Sequence, residues 1–379
     1  MLSTLSYLAV AIWGVIALLP WRPWSTRERI AADSPAVAAP WPDITVLIPA
    51  RDEAESIIQT LQALAAQGLL TQIILIDDQS TDGTAALARG LALPHLQVIE
   101  GVAPPPGWSG KLWALQQGFA QVTTPHTLLL DADIELRPGI LSALRRKLST
   151  EEYALVSVMA ALTMGSWWER LLIPPFIYFF KMLYPFALSN GPRRWIAAAA
   201  GGCILLKTET LRALGGFEAL RGALIDDCTL ARLVKARGGR TWLGLSRDVC
   251  ALRPYRDLAS IWNMVARTAF TQLHYSTLLL WLCTAVLFIS FCVPVLGLWS
   301  PAVGGRIAAA TALLLMAGTY VPVLRYYQRP LWWLPSLPLA GLLYLAMTWS
   351  SAIRYWRGER SRWKSRVYSR TDDVPNLMP

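Results

Sequence analysis

Charge is scarce in this chain of 379 residues: Asp, Glu, Lys and Arg make up 16% of it, against 54% hydrophobic residues. Histidine is scarcer still, with three residues, and there are five cysteines. Cys203, Cys228, Cys250, Cys283 and Cys292 show neither the paired spacing of a zinc site nor the Cys-x-x-Cys of a redox centre. They read as reduced packing residues, with Cys203 and Cys228 the two placed to line a site. The chain has no Walker-type Gly-Lys loop and no Gly-x-Gly-x-x-Gly turn, so ATP hydrolysis and dinucleotide chemistry have no support. It has no nucleic-acid-binding motif either, and its aromatics sit in apolar segments. The net charge of +10 therefore does not argue for a nucleic-acid partner.

What is abundant is apolar sequence. Residues 2–19 carry no charge and are just long enough to span a bilayer. Arg22, Arg27 and Arg29 follow at once and place that end in the cytoplasm. No basic segment precedes the stretch, so a signal peptide is disfavoured. Three more uncharged stretches occupy 276–299, 307–324 and 331–353. Three crossings there would put the basic tail (Arg354, Arg357, Arg360, Arg362, Lys364, Arg366, Arg370) outside, against the positive-inside rule. The last stretch, with Pro335 and Pro338, is the candidate for a re-entrant or interfacial segment. The expected layout is an anchor at 1–21, a linker at 22–43, an α/β domain at 44–275, membrane segments at 276–353 and a cytoplasmic-type tail at 354–379. Residues 166–188 are aromatic but hold Glu169, Arg170, Lys181 and three prolines. They read as an interfacial element with Trp and Tyr at headgroup level.

Between 44 and 131 strand and helix patterns alternate. Strands are expected at 44–49, 72–77, 96–99 and 127–131, and helices near 53–66, 82–92 and 110–121. This reads as βαβ units and a mostly parallel sheet. Ligands of such sheets bind at the carboxyl ends of the strands, and the unusual polar residues fall there. Pro49-Ala50-Arg51-Asp52-Glu53 follows the first strand, and Asp77-Asp78-Gln79-Ser80-Thr81-Asp82-Gly83-Thr84 the second. Asp131-Ala132-Asp133 follows the fourth. Carboxylates at i and i+2 of an extended segment project to one side, and two hard oxygen donors suit Mg²⁺ or Mn²⁺. A polar turn is the plain alternative. Glu53 and Glu55 could serve the dipole of a following helix. Thr81 or Asp82 could be an N-cap, which leaves Asp78 with no structural duty. Gly110-Lys111 opens a helix, where backbone N–H groups and an ammonium suit an anion.

In the second half, Ala197-Ala198-Ala199-Ala200-Gly201-Gly202 allows either a close backbone approach to a ligand or tight strand packing. Asp226-Asp227 opens a helical pattern and could cap it or hold a general base. Arg267 is the best candidate there for a second diphosphate contact. His274 reads as an interfacial or packed residue, and His95 and His126 as loop residues.

Taken in order, these motifs resemble the family 2 glycosyltransferases with the GT-A fold, over about residues 44 to 275. Ile48-Pro49-Ala50-Arg51-Asp52-Glu53 is similar to the family's first nucleotide-binding turn, and 77–84 to its Asp-Asp-x-Ser-x-Asp-x-Thr signature. Gly110-Lys111 with Ala114-Leu115 and Gly118 resembles the Gly-Lys-x-x-Ala-Leu-x-x-Gly motif, and 131–133 the Asp-x-Asp metal motif. The resemblance implies that Asp78 binds the uracil ring, that Pro49, Glu53 and Lys111 hold the nucleotide, and that Asp131 and Asp133 hold Mg²⁺ or Mn²⁺. It makes Asp227 the implied catalytic base. Where processive synthases have Gln-x-x-Arg-Trp, this chain reads Met264-Val265-Ala266-Arg267-Thr268, which favours a single transfer over a polymer. The membrane layout resembles the lipid-glycosylating branch. Ile48 to Glu55 and Arg267 to Leu273 are most similar to a bacterial subfamily associated with hopanoid biosynthesis. The implied partners are a nucleotide sugar, probed first as a UDP-sugar, a membrane lipid acceptor and the lipid bilayer of a bacterial inner membrane, with the catalytic domain cytoplasmic. The alternatives are a polyprenyl-phosphate acceptor and a catalytically silent, nucleotide-binding scaffold.

Overall fold

A computed structural model of the chain describes residues 1–33, 41–68, 70–363 and 366–369. Helix α1 (Leu2–Leu18) comes first. The alternating segment follows: β1 (Trp41–Ala50), α2 (Ile57–Ala65), β2 (Leu70–Asp77), α3 (Thr84–Gly90), β3 (Leu96–Glu100), α4 (Gly110–Phe119) and β4 (His126–Leu130). All four expected strands are present, each within three residues of its expected ends. Strand β1 starts at Trp41, ahead of the expected 44. Next come β5 (Ile134–Leu136), α5 (Ile140–Thr150), β6 (Leu155–Ala161), α6 (Trp167–Leu183), α7 (Phe186–Ser189) and β7 (Cys203–Lys207). The domain closes with α8 (Thr208–Leu214), α9 (Asp226–Ala236) and β8 (Thr241–Ala251).

One eight-stranded sheet runs β3-β2-β1-β4-β7-β6-β8-β5. It is parallel from β3 to β4 and mixed beyond, because β7 runs back against both β4 and β6. Apolar residues of the buried strands alternate between two cores. Ile44, Val46, Ile48 and Leu75 face Ile57, Leu61 and Leu64 of α2 and Leu141 and Leu144 of α5. Leu47, Ile74 and Ile76 face Leu112 and Leu115 of α4 and Leu230 and Val234 of α9. Helix α4 lies against the sheet at Gly118, where a Cβ would sit 2.6 Å from Ile76 Cδ1. That contact is the physical reason for glycine at this turn of the helix.

The expected linker is partly structured. Ile30 N donates to Leu245 O and Leu245 N to Glu28 O, both at 2.9 Å, so residues 28–30 lie along β8. Asp33 is paired with Arg146. Residues 34–40 of that linker lie outside the described residues.

After β8 come α10 (Leu258–Ala266), α11 (Ala269–Gln272), α12 (Thr277–Leu287), α13 (Val293–Gly297), α14 (Val303–Tyr326) and α15 (Leu337–Trp356). Three stretches, Thr277–Gly297, Val303–Tyr326 and Leu331–Trp356, are long and apolar enough to cross a membrane, and α1 is shorter. Between α12 and α13 the chain widens into a π-turn, Phe288–Cys292. Pro294 has no N–H for the carbonyl four residues back, Ser290; that oxygen accepts the Trp13 indole N–H of α1 at 2.9 Å instead. The prolines do not break the last stretch. It is a 3₁₀ turn, Leu331–Ser336, followed by one unbroken helix that runs antiparallel to α12. Gly341 meets Phe291, and Trp349 meets Trp281. Both prolines sit where no helical N–H is needed, in the 3₁₀ turn and at the start of α15. Of the basic tail, residues 364–365 and 370–379 lie outside the described residues.

Helix α6 also differs from expectation. Trp167 is exposed, but Tyr178 is buried, with its hydroxyl 2.8 Å from Thr319 Oγ1 of α14. The Tyr344 hydroxyl of α15 donates to Leu172 O at 2.8 Å, and Lys181 reaches Glu28. The helix is thus a wedge packed between the sheet domain and the apolar helices, with Tyr178 inside that packing and Trp167 at its exposed start. The strands on either side of it, β6 and β7, pair directly, with Val156 opposite Leu205. A chain that leaves a sheet and returns to the neighbouring strand stays on one side of a bilayer. Single cysteines introduced at the exposed positions Ser149 and Arg194 should both react with an impermeant maleimide from the same side of sealed vesicles. Reaction from opposite sides would refute this topology.

Candidate active site

The site is built at the carboxyl ends of β1, β2 and β4, where two loops are laced together by alternate residues of the 77–84 segment. Asp52 N donates to Ser80 Oγ at 3.0 Å, and Asp52 Oδ1 accepts from Thr81 N at 2.8 Å. Asp82 Oδ2 accepts from Ala54 N at 2.8 Å, and Thr84 Oγ1 accepts from Glu53 N at 2.8 Å. Asp82 Oδ1 also accepts from Thr84 N at 3.0 Å, but the N-cap of α3 is Gly83 and not the expected Thr81 or Asp82. Asp52 and Gln79 adopt positive φ, of 51° and 58°, which turns both loops sharply at the sheet edge. Asp78 is not without structural duty: it is buried and its carboxylate lies 3.7 Å from Arg51 Nη1. Glu53 stands ahead of its helix, since α2 begins at Ile57. Its carboxylate pairs with Arg253 and accepts from Ser56 Oγ.

The cleft beside these loops is lined by Pro49, Lys111, Asp131, Gly201, Asp226 and Asp227, with an apolar floor that includes Leu115, Ile204 and Phe217. Lys111 Nζ lies 2.7 Å from Asp131 Oδ1. A Cβ on Gly201 would come within 3.4 Å of both Lys111 Nζ and Asp227 Oδ2. This glycine therefore lets the two halves of the site meet, which is the close-approach reading of the small-residue run. Asp227 Oδ1 accepts from Cys228 N at 2.7 Å, so the start of α9 holds the carboxylate.

Concavity governs the electrostatics. Burial alone would lower the Lys111 pKa, but the charges of Asp131, Asp226 and Asp227 raise it, so the ammonium is held firmly. Burial raises the Asp131 pKa; Lys111 opposes this and the charge of Asp133 adds to it. Burial, then the charge of Asp226, pushes Asp227 up to about 7. A carboxyl in that range can take a proton near neutrality. Cys203 is a packing residue, its thiol pushed up to about 12 by burial. Cys228 donates to Ala199 O in the core.

The structure gathers Pro49, Lys111, Asp131 and Asp227 in one cleft and leaves Glu53, Asp78, Asp133 and Arg267 outside its lining. Arg267 is exposed at the end of α10. Its charge is felt at Tyr255, whose pKa burial raises, Arg267 and Arg253 lower, and Asp133 raises. Arg253 is the main residue that sequence reasoning missed: its Nε lies 3.8 Å from Asp133 Oδ2 while another arm holds Glu53. Only its place directly after the last strand hinted at it. Tyr184, which donates to Gln272 and lies close to Asp227 and Cys228, was also missed. His126 is not a loop residue: it starts β4, and its Nδ1 lies 3.1 Å from Asp43.

Among the described residues no group of three or more His, Cys, Asp or Glu side chains could hold a metal by itself. That fits Mg²⁺ or Mn²⁺ bound through one or two carboxylates, with water and a substrate diphosphate completing the shell. Asp131 and Asp133 offer that partial set. With Asp131, Asp133, Asp226, Asp227 and the Glu53 that shares Arg253 all ionised, the carboxylates outnumber the cations Lys111 and Arg253 by three, a field that favours a divalent ion and opposes a bare diphosphate.

A parallel-to-mixed sheet with acidic turns at its strand ends is the GT-A architecture. The chain aligns over 94% of its length with 99% of a mannosyltransferase from Pyrobaculum calidifontis solved in complex with GDP-Man and Mn²⁺, at a TM-score of 0.55 and 19% identity. Residues 45–215 match the family model described as Glycosyl transferase family 2. A 4,4'-diaponeurosporenoate glycosyltransferase of Staphylococcus aureus (strain MRSA252) is 32% identical over 117 residues, 30% of this chain and 31% of that protein. Its counterpart in Staphylococcus haemolyticus (strain JCSC1435) is 27% identical over 134 residues, 34% and 35% of the two chains. The match thus spans about a third of these curated relatives, and they are named for diaponeurosporenoate, not for a hopanoid.

The raised Asp227 pKa has a consequence for stability. A carboxyl whose folded pKa of about 7 exceeds its ordinary value of 3.8 subtracts stability as pH rises between those values. In EDTA, Asp227→Asn should melt at a higher temperature than the parent at pH 8, with the difference vanishing toward pH 4. Equal melting curves at pH 8 would show that Asp227 is not destabilised in the fold.

Proposed function

We propose that the protein is an inverting, metal-dependent glycosyltransferase that moves a sugar from a nucleotide sugar, a UDP-sugar in the first instance, to a membrane lipid. The observation that carries this reading is that Asp131, Lys111 and Asp227 line one cleft, with Lys111 paired to Asp131. Asp131 and Asp133 are the residues to hold Mg²⁺ or Mn²⁺, which when bound offsets charge on the departing diphosphate. Lys111 supplies a further cation beside the same oxygens, and Pro49, Glu53 and Asp78 form the nucleotide end, with Arg267 a second anion contact from the α10 side. An acceptor oxygen attacks the anomeric carbon from the face opposite the diphosphate. The bond to the diphosphate oxygen breaks with its electron pair, and the acceptor proton passes to Asp227.

The lipid acceptor is supported by the three long apolar helices and by relatives named for glycosylating 4,4'-diaponeurosporenoate. The same helices and the Arg22, Arg27 and Arg29 cluster support a bacterial inner-membrane location with the site facing the cytoplasm. A hopanoid alcohol is one candidate acceptor, on the strength of the likeness at residues 48–55 and 267–273. A polyprenyl phosphate is the second reading. A phosphate nucleophile needs no base, so the raised pKa of Asp227 favours a hydroxyl acceptor. Comparing membrane lipids with and without the gene by mass spectrometry identifies the glycosylated species.

Asp133→Ala should abolish turnover with Mn²⁺ while leaving the melting temperature in EDTA near the parent value; full activity of that variant in EDTA would remove the metal role. Asp227→Asn should lower kcat by roughly 10²–10⁴, the usual range for loss of a general base, with UDP affinity nearly unchanged. The parent kcat/KM should rise with pH through about 7, the Asp227 value, and the variant should lose that limb. A collapse of UDP affinity with an unchanged rate would make Asp227 a binding residue.

A further inference from the structure

Four tryptophans gather where the apolar helices meet the sheet domain, and the chemistry above does not use them. Trp167 and Trp168 open α6 with ring centres 4.8 Å apart. Trp332 and Trp333 stack at 4.6 Å in the 3₁₀ turn, and Trp333 lies 6.4 Å from Trp167. Trp167 and Trp332 are 54% and 68% exposed, a large apolar area left open to the surroundings. Trp333 is buried, yet its indole N–H finds no acceptor among the described residues. Buried donors of this kind are uncommon and call for a partner.

The cluster is braced to the site. Ser166 Oγ donates to Tyr255 O at 3.1 Å, and Glu169 in the same turn of α6 accepts from Tyr255 N at 2.7 Å. Two residues before Tyr255, Arg253 holds Glu53 and lies 3.8 Å from Asp133. On the other side the 3₁₀ turn runs straight into α15, within a stretch long enough to cross a membrane. Tryptophan favours the boundary between hydrocarbon and water. An amphiphile on this cluster has its tail along the apolar helices and its head directed to the carboxylates.

We propose that Trp167, Trp168, Trp332 and Trp333 form the binding platform for the lipid acceptor, seating the apolar part next to its head group. The Trp333 N–H then meets a head-group oxygen. This rests on the acceptor being a lipid, and it adds where that lipid binds and that the surface selects it from the bulk bilayer.

The test is photocrosslinking in native membranes. In the full chain, p-benzoylphenylalanine replaces Trp167 or Trp332, both exposed, and in a control it replaces Leu314, which is 73% exposed on α14. Adducts are identified by mass spectrometry. The expected result is one lipid class enriched about tenfold at both tryptophan positions over Leu314, equivalent to roughly 1.4 kcal/mol of preference. The same phospholipid mixture at all three positions, or no lipid adduct at Trp167 and Trp332, overturns the platform. UDP binding by the unmodified protein is measured in parallel. Its absence would overturn the transferase reading, while the adduct ratio alone decides the platform.

Discussion

Everything in the cleft is arranged around one ammonium. Lys111 is the shared counter-ion of three carboxylates from two regions of the chain, Asp131 from the end of β4 and Asp226 and Asp227 from the start of α9. Like charges at this spacing repel strongly in a concave, poorly solvated site. Without Lys111 they could be brought together only as neutral acids. With it, one carboxylate is paired directly, and the other two remain close enough to perturb each other. That division explains how Asp131 can keep a cation partner while Asp227 sits near neutrality, although neighbours and burial act on both.

The placement of Lys111 depends in turn on backbone detail. It is the second residue of α4, whose N-cap Ser109 accepts from Leu112 N, and α4 can press on the sheet because residue 118 is glycine. Gly201 removes the side chain that would otherwise stand between Lys111 and Asp227. The laced loops at 52–54 and 80–84 do the corresponding work on the nucleotide side. Alternation of Ser80, Asp82 and Thr84 follows from this lacing, because every second side chain of that turn reaches across to the neighbouring loop. A signature of this type thus reflects loop geometry at least as much as direct contact with a ligand.

The features legible in the sequence were those whose physics is local. Apolar runs ending in carboxylates gave strands β1, β2 and β4 within a few residues, and the i, i+2 spacing marked Asp131 and Asp133. The features not legible depend on partners distant in the chain. Arg253 meets Glu53 across 200 residues, and Glu169 meets Tyr255 across 86. Lys235 is a buried cation that donates to the carbonyls of Ser189, Gly191, Arg193 and Ile196, and its own helix gives no hint of it. Composition also left the packing of two segments hidden. Prolines at 335 and 338 suggested a broken span but fall at a helix entrance, and the mixed polarity of 166–188, read as interfacial, gave no sign that Lys181 pairs with Glu28.

The wedge position of α6 bears on the order in which the molecule is assembled. Tyr178 waits for Thr319, which is synthesised 141 residues later, and Leu172 for Tyr344, 172 residues later. Strands β6 and β7 flank the helix and can pair as soon as both have emerged. For the whole interval of translation between them and α15, an apolar helix projects from a nearly finished sheet with its partners still unmade. Such a surface is what chaperones and insertases recognise and what aggregates if left exposed. Helix α15 therefore acts as a closing piece for α6. Its emergence, and not completion of the sheet, marks the point at which α6 can reach its native packing.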